Sequence, residues 1–432
     1  MCAICCQHNS LTIFSSELPK IYQFIDKRFK MSSEFYGTIK PKMDFNAETA
    51  ADVLYDAMKG SGCDKYRVIQ VIAHCNNAQR QMIRTPYRNK YGKDLIDELK
   101  KELSGDFEDV IIGLMETPTK YDAMQLQKAM KGLGTTEITL IDILCSRNDD
   151  ELNAIKNEYK DEFGRTLESD IVGDTSGDFK ELLLALLNTR RDRSYNVNYL
   201  KAREAAKRMF GNKEKKEKPD KETFKTVLSQ DNFRQIQKLF SEYQSMTGEP
   251  LTAAVERVFS GDAKIAYLAL IDSIQNKPRF FAKQLYDAMK GLGTADHHLI
   301  RIVVSRSEID LALIREEFER MYKKPLVDWI KSECSGPYRD ALIVMDDVSN
   351  NSSDKDDNNG GTVIRKDDNG INDNVMEERY LFNDKDIDNI NNETSDRIAV
   401  LMRMMILSMD KMILPDDGSN NALFLQSLIL RY

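Results

Sequence analysis

"AMKGLGT" occupies residues 129–135 and again residues 288–294, and a close variant, "AMKGSGC", occupies residues 57–63. Two glycines separated by one residue allow the backbone to adopt positive φ at both positions. A single loop of this kind is an ordinary way to end a helix. Three copies in one chain indicate an internal repeat in which each copy of the loop has the same task.

A second element follows each loop at a constant distance. It is an acid-x-Ser-Gly sequence, and its acids Glu102, Asp174 and Glu333 each stand 44 residues after the loop methionines Met58, Met130 and Met289. A fourth Ser-Gly, at residues 260–261, has Val258 at the position of the acid. The sequence therefore predicts four units of roughly 70 to 85 residues, of which the third has diverged.

Hydrophobic residues inside the units recur with the period of a helix. In the second unit this pattern includes Ile138, Ile141, Leu144 and Cys145, followed by Leu152, Ile155, Tyr159 and Phe163. Gly164 is predicted to end a helix, and Ser169 or Asp170 to begin the next. Because the alternation typical of strands is rare, we expect an all-α fold with four to five short helices per unit and no sheet.

The loops and acids suggest a cation site. Backbone carbonyls exposed by a glycine turn are hard oxygen donors, and calcium accepts six to eight oxygens in irregular geometry. Carbonyls from the loop and one carboxylate from a distant helix end would form a partial cage. Water or a phosphate oxygen from outside would then complete the coordination of Ca2+, the cofactor that we expect.

With these motifs, residues 46–345 resemble the annexin family. The resemblance implies a curved disc of four five-helix repeats whose calcium loops meet phospholipid. It also implies three ligand sets, each made of three carbonyls and one carboxylate. They are Met58, Gly60, Gly62 and Glu102 in the first repeat, Met130, Gly132, Gly134 and Asp174 in the second, and Met289, Gly291, Gly293 and Glu333 in the fourth.

Two repeats depart from the family pattern. The third has "GNKEKKEKPDKETF" in its loop region, with Lys218 in place of the later glycine and Val258 in place of the acid. We expect no calcium site there. The first repeat has Cys63 where the family loop has threonine, but its carbonyls, glycines and acid are intact, so we expect it to bind with a changed affinity.

The predicted boundaries divide the chain into six parts. They are an N-terminal segment at residues 1–45, repeats at 46–117, 118–190, 200–276 and 277–346, and an acidic Asn/Asp-rich tail at 347–432. Residues 346–432 carry 18 acidic against 9 basic residues, so they account for −9 of the net charge of −8 and leave the rest near +1. Such a polar segment cannot bury enough apolar surface to fold, and we expect it to be largely disordered.

Charge and composition exclude several functions. A nearly neutral body without a basic stripe argues against nucleic-acid binding. The four histidines, with no G-x-S-x-G sequence and no P-loop, form no catalytic constellation, so we expect no enzyme. Seven cysteines in no framework, no apolar run of about 18 residues and no conventional signal sequence favour a cytoplasmic protein.

Charged residues also occur within apolar helical patterns. They are Asp122, Asp142, Arg147 and Arg301. The resemblance places such residues along a polar seam between repeats, where buried salt bridges and ion conduction are both conceivable. We favour salt bridges that fix the packing of the repeats.

Residues 16–30 form an amphipathic basic pattern with Leu18, Ile21, Tyr22, Ile25 and Phe29 on one helical face. Such a helix can bind a protein partner, lie on a membrane or pack on its own disc.

From the repeated loops and acids we predict a protein that binds anionic, phosphatidylserine-like membranes in a calcium-dependent manner. It would act in membrane organisation, trafficking or repair. It would be a monomer in solution that can assemble on membranes and lies at them when calcium rises. The alternative is a calcium-regulated scaffold that binds a partner through residues 16–30.

Overall fold

The regular structure of the chain is helical. A computed structural model describes residues 36–347 except residues 61, 133, 212–217 and 292, and it contains 20 α-helices and no strand in this part of the chain. The all-α expectation is therefore confirmed. The helix predicted for residues 16–30, the N-terminal cysteines and the tail beyond residue 347 lie outside the described residues.

The helices follow one another in four groups of five. The first group comprises α1 (Ala47–Met58), α2 (Lys65–Ile72), α3 (Asn77–Tyr91), α4 (Leu95–Glu102) and α5 (Gly105–Met115). The second comprises α6 (Pro118–Met130), α7 (Glu137–Leu144), α8 (Asp149–Phe163), α9 (Leu167–Asp174) and α10 (Gly177–Asn188). The third comprises α11 (Tyr199–Phe210), α12 (Lys221–Gln230), α13 (Phe233–Thr247), α14 (Leu251–Val258) and α15 (Gly261–Gln275). The fourth comprises α16 (Lys277–Met289), α17 (Asp296–Arg306), α18 (Leu311–Tyr322), α19 (Leu326–Glu333) and α20 (Gly336–Asp346).

Each group repeats the same local construction. The first and third helices pack against each other in every repeat. The fourth helix always has eight residues, and the fifth begins at the glycine of a Ser-Gly pair, after the serine as N-cap. The glycine of this pair has positive φ, 64° at Gly105 and 58° at Gly177, so the chain turns sharply without the steric cost of a Cβ.

In the second repeat, the predicted helical pattern of apolar residues accounts for the burial of α8 but not fully for that of α7. Leu152, Ile155 and Tyr159 are buried on one face of α8, as expected. Helix α7, in contrast, is buried on nearly all sides. It packs against α6 of its own repeat and against α15 of the third repeat. A helix surrounded by protein does not need one polar face.

The predicted start of α9 was wrong by two to three residues. The helix begins at Leu167, and not at Ser169 or Asp170. The hydroxyl of Thr166 accepts a hydrogen bond from the backbone N–H of Ser169 at 3.2 Å, which makes Thr166 the N-cap. Threonine is a common capping residue because its oxygen satisfies an otherwise free amide. The Gly164 stop was correct, with the glycine in left-handed conformation at φ 68°.

The repeats pack in two pairs. In the first and fourth repeats, α5 contacts α17 and α20. In the second and third repeats, α10 and α7 contact α15. The apolar side chains of these helices form one continuous buried core within the described residues, so the repeats stabilise one another instead of folding around separate centres.

Buried ion pairs lie where the repeats meet. The guanidinium of Arg147 binds both carboxylate oxygens of Asp122, at 2.7 and 3.0 Å. Arg301, in the fourth repeat, donates to Asp142 of the second at 2.5 Å. Burial works against ionisation of Asp142, yet Arg301 and His298 hold its pKa below the usual range. The prediction that these residues form salt bridges is confirmed.

A short segment before the first repeat forms hydrogen bonds with both the fourth repeat and the first. The amides of Thr38 and Ile39 both donate to the carbonyl of Ser307, at 2.7 and 3.0 Å. Lys42 and Gln79 exchange hydrogen bonds at 2.9 and 2.7 Å. At the start of this segment, a Cβ on Gly37 would lie 2.7 Å from the backbone carbon of Glu308. The crossing therefore needs glycine because the two backbones approach closely.

We predict that Gly37→Ala destabilises the protein by about 1 to 3 kcal/mol, the usual cost of overpacking a rigid contact. Gly173→Ala is the matched control, because a Cβ there meets nothing within 4 Å and the residue lies inside α9. It should stabilise the protein by about 0.5 to 1 kcal/mol through helix propensity. Urea unfolding followed by circular dichroism measures both, and equal shifts of the same sign would contradict the prediction.

Candidate functional site

The three repeated loops share an unusual backbone conformation. Each begins at the end of the first helix of its repeat, after a buried methionine, Met58, Met130 or Met289. All six loop glycines are exposed and have positive φ: Gly60 111°, Gly62 99°, Gly132 108°, Gly134 92°, Gly291 111° and Gly293 87°. L-residues with a side chain rarely adopt these angles, so the glycines are required by conformation.

A backbone hydrogen bond closes each loop in the same way. The amide of Asp64 donates to the carbonyl of Ala57 at 2.8 Å in the first repeat. The corresponding bonds are Thr136 to Ala129 at 2.9 Å and Ala295 to Ala288 at 2.8 Å. The three loops therefore span the same seven-residue closure, and the second helix of each repeat starts in the same register relative to the first.

The three predicted acids occupy equivalent places in the fold. Glu102, Asp174 and Glu333 are the last residues of α4, α9 and α19, each eight residues long. The first two are exposed and the third is half-buried. The C-terminal end of a helix carries partial negative charge, so a carboxylate there is locally unfavourable. A bound cation would relieve this repulsion.

The structure brings loop and acid together most clearly in the second repeat. A cavity of about 200 Å³ is lined by Met130, Gly132 and Asp174, three of the four predicted ligand residues. Arg165 and Asp170 also line it, with 3.3 Å between the guanidinium and the carboxylate, and the remaining wall residues are Gln127 and Lys131. The fourth predicted residue, Gly134, precedes a threonine that contacts the acid-bearing helix end.

That threonine fastens the loop to the helix. The hydroxyl of Thr135 donates to the backbone carbonyl of Asp174 at 3.1 Å. In the fourth repeat, Thr294 makes the equivalent bond to the carbonyl of Glu333 at 3.5 Å. These bonds place Gly134 and Gly293, each one residue earlier, beside the acids. The role of this threonine was not recognised from the sequence, although its recurrence after the second glycine was a usable signal.

The first repeat keeps the arrangement with a different contact. Cys63 occupies the position of the threonine and is half-buried. Burial raises the pKa of its thiol, and the nearby charges of Glu102 and Asp64 raise it further. Helices α1 and α4, which end at the loop and at the acid, contact each other. A protonated thiol is a weaker hydrogen-bond donor than a hydroxyl.

The third repeat lacks the acid half of the arrangement. Val258 ends α14 where the other repeats have an acid, and its side chain packs against the hydrophobic core. Most of the corresponding loop, residues 212–217, lies outside the described residues. An apolar residue at this helix end supplies no ligand.

One cluster of possible ligands had no signal in the sequence. Among the described residues, Asp106, Asp109 and His297 place one ligand atom each within 4.8 Å of one another. His297 Nδ1 lies 2.9 Å from a carboxylate oxygen of Asp109. The cluster joins the first repeat to the fourth, so spacing along the chain could not reveal it. Across the part of the chain that is described, no helix has the length and apolarity to cross a bilayer.

Comparisons with known proteins agree with this geometry. A family model described as Annexin matches residues 49–114, 121–186, 204–270 and 280–345. Human annexin A4 is 43% identical over 309 residues, 72% of this chain and 97% of that protein. Human annexin A7 is 42% identical over 309 residues, 72% of this chain, which spans only 63% of that longer protein.

Solved structures show the same fold. The structure of annexin III superposes with a TM-score of 0.69 at 37% identity, covering 72% of this chain and 96% of that one. A calcium-bound structure of annexin (Sm)1 superposes with a TM-score of 0.63 at 31% identity, covering 72% and 92%. The four repeats therefore correspond to nearly the whole of each of these proteins.

Proposed function

The chain belongs to the annexin family of calcium-dependent phospholipid-binding proteins, and from this membership we propose that it attaches to anionic membranes through calcium in its first, second and fourth repeats. The observation that carries the proposal is the recurrence of one arrangement three times. In each case a loop with two glycines at positive φ stands beside the acid that ends an eight-residue helix.

Each site would combine loop carbonyls with one carboxylate. In the first repeat the carbonyls would be those of Met58, Gly60 and Gly62, and the carboxylate that of Glu102. The corresponding sets are Met130, Gly132 and Gly134 with the carboxylate of Asp174, and Met289, Gly291 and Gly293 with the carboxylate of Glu333. When bound, calcium accepts more oxygens than these four residues supply, so a lipid phosphate can complete its coordination. The chain's own contribution is to hold one negative charge and several carbonyl dipoles at an exposed edge.

The charge distribution makes a calcium bridge necessary for this attachment. Residues 1–345 carry a net charge near +1, and charges more than about 8 to 10 Å apart are screened at physiological salt. The protein therefore has little direct attraction for an anionic surface. Three weak sites on one chain strengthen one another through effective concentration. Such a protein would act by binding to membranes, in membrane organisation, trafficking or repair.

The third repeat would take no part in calcium binding. Val258 offers no carboxylate, and Lys218 stands where the resemblance expects a glycine. Three of the four repeats would then share the membrane contact. We propose that the protein lies free in the cytoplasm until calcium rises.

We predict that Glu102→Gln, Asp174→Asn and Glu333→Gln each raise the calcium concentration required for vesicle binding, and that the effects accumulate. Removing the carboxylate of each proposed ligand set should weaken each site by roughly tenfold, because ligand charge sets calcium affinity. The triple variant should bind poorly even at high calcium. Co-sedimentation with phosphatidylserine vesicles across a calcium titration measures the effect.

Two controls separate calcium binding from folding. Glu256→Gln neutralises an exposed acid on α14, the equivalent helix of the third repeat, and should leave the calcium requirement unchanged. Without calcium, the triple variant should melt at the wild-type temperature or slightly higher, because it loses carboxylates at negative helix ends. Wild-type calcium dependence in the folded triple variant would refute the proposal.

We also predict that Cys63→Thr increases the calcium affinity of the first repeat by a few-fold. The new hydroxyl can make the loop-to-helix bond that Thr135 makes in the second repeat, and one hydrogen bond contributes about 0.5 to 1.5 kcal/mol. Thr135→Cys is the reciprocal change and should weaken the second repeat to a similar extent. Calcium titration calorimetry detects both, and changes of the same sign would rule the idea out.

A further inference from the structure

A cavity of about 460 Å³ lies where the second, third and fourth repeats meet. Its wall includes the C-terminal end of α7, the segment between α10 and α11, and the first residues of α8, α13 and α16. This volume is in the range of small-molecule sites. The cavity is separate from the calcium loops, because α16 begins at the cavity and ends at the fourth loop, about 20 Å away at 1.5 Å per residue.

The wall of the cavity contains a cation that forms no ion pair within the described residues. Lys277 is the first residue of α16, and no carboxylate in the described part of the chain lies within 4.0 Å of its ammonium. Its two cationic neighbours are already neutralised, Arg147 by Asp122 and Arg306 by Asp310. Burial lowers the pKa of Lys277 to about 8, and the charge of Arg306 contributes to the same shift.

A second cation in the wall has two carbonyl oxygens and an aromatic ring as its partners, but no carboxylate. The guanidinium of Arg191 donates to the carbonyls of Asp231 and Leu228, both at 2.7 Å. Burial lowers the pKa of Arg191, although Asp149 and Asp231 oppose the shift. No carboxylate lies within 4.0 Å of this guanidinium among the described residues. Its charge is thus available to a ligand.

The carboxylates that line the cavity already have partners. Asp150 pairs with Arg193 at 2.6 Å. Asp192 accepts from Ser194 and from the amide of Asn232, at 2.8 and 2.9 Å. Asp149 accepts the backbone N–H of Arg191 at 2.7 Å. These acids are engaged with other groups of the wall, and none of them forms an ion pair with Lys277.

Three helices direct their positive ends at the same space. Helices α8, α13 and α16 have 15, 15 and 13 residues, and Asn148, Asn232 and Asn276 cap them. Each cap accepts the N–H of its third helical residue, and the amides before that residue have no partner within the helix. In α16 only Lys277 has such an amide, because Pro278 has no N–H. Partial positive charge at helix N-termini attracts anions, and phosphate most often.

We propose that this cavity binds a small phosphate-bearing anion, with Lys277 and Arg191 as its cationic contacts. Phosphate oxygens match the ammonium, the guanidinium and the free helix amides better than a monatomic ion does. The cavity has room for more than one phosphate group, since a water molecule in the liquid takes about 30 Å³. The guanidinium of Arg191 lies 4.8 Å from the centroid of the Phe233 ring, so this ring holds the cation at the wall of the cavity.

Without a ligand, the buried charge of Lys277 lowers the stability of the folded protein. Its pKa is lower in the folded protein than the ordinary 10.5, so the folded state holds this proton less tightly than the unfolded chain. The resulting destabilisation is present below about pH 8 and is relieved as pH rises from 8 towards 10.5. A bound anion would remove the same cost at neutral pH.

The test uses the full-length protein in chelator, so its result does not depend on the proposed calcium sites. Isothermal titration with inorganic pyrophosphate and phosphate, at matched ionic strength, should show one saturable site, while acetate should bind much more weakly. Lys277→Met should weaken pyrophosphate binding by about tenfold or more, because it removes a charge-assisted contact. Lys277→Arg should retain most of the affinity.

Proton uptake provides a second readout. Arg147, Arg306, Glu151 and Asp310 are the charged groups that influence Lys277, and an added anion should raise its pKa from about 8. Binding at pH 8 should therefore take up protons, seen as a buffer-dependent heat in the wild type and absent in Lys277→Arg. No uptake in the wild type would show that the anion binds elsewhere.

Lys160→Met is the control for general charge loss, because Lys160 is exposed at the far end of α8. It should bind pyrophosphate as the wild type does. The proposal is overturned if the wild type shows no saturable binding, if Lys277→Met binds equally well, or if Lys160→Met weakens binding as much. Circular dichroism verifies folding, and Lys277→Gln replaces Lys277→Met if the latter does not fold.

Discussion

The rest of the candidate site depends on one backbone constraint, two residues at positive φ in each loop. At Gly132 and Gly134 a Cβ would meet nothing within 4 Å, so lack of space does not explain the glycines. Their φ angles of 108° and 92° do, because L side chains rarely adopt them. With this conformation, the loop closes over seven residues and the threonine after it reaches the end of the fourth helix. The carboxylate and the loop then stand side by side.

Packing between repeats positions the three loops relative to one another. Arg301 joins the fourth repeat to Asp142 of the second, and the segment at Thr38 and Ile39 joins the fourth to the first. A buried ion pair contributes little net stability, since desolvation offsets most of its attraction. It does penalise any arrangement in which Asp142 is left buried and unpaired. The buried ion pairs between repeats therefore mainly fix how the repeats are arranged relative to one another.

The sequence was sufficient for the repeat fold and for the acid positions because both are recorded in local spacing. The separation of 44 residues is the same in the first, second and fourth repeats because they share the seven-residue loop closure and an eight-residue fourth helix. In the fourth repeat a longer second helix is offset by a shorter third helix. Features assembled from distant segments left no such record. Lys277 of the fourth repeat and Arg191 of the segment between the second and third repeats line one cavity, and His297 meets Asp109 across a repeat boundary. The start of α9 was misplaced for a local reason, since capping by Thr166 was overlooked.

Two kinds of residue in this protein break rules that otherwise stabilise helices. Glu102, Asp174 and Glu333 place negative charge at negative helix ends, and Lys277 places an uncompensated cation in a partly desolvated wall. Such violations are expected where a ligand supplies the missing charge. The third repeat provides an internal comparison. At the same helix end, Val258 packs against the core, which is the arrangement that stability alone favours. The acids beside the three glycine loops are therefore what the proposed cation sites require, and not what the stability of the helices favours.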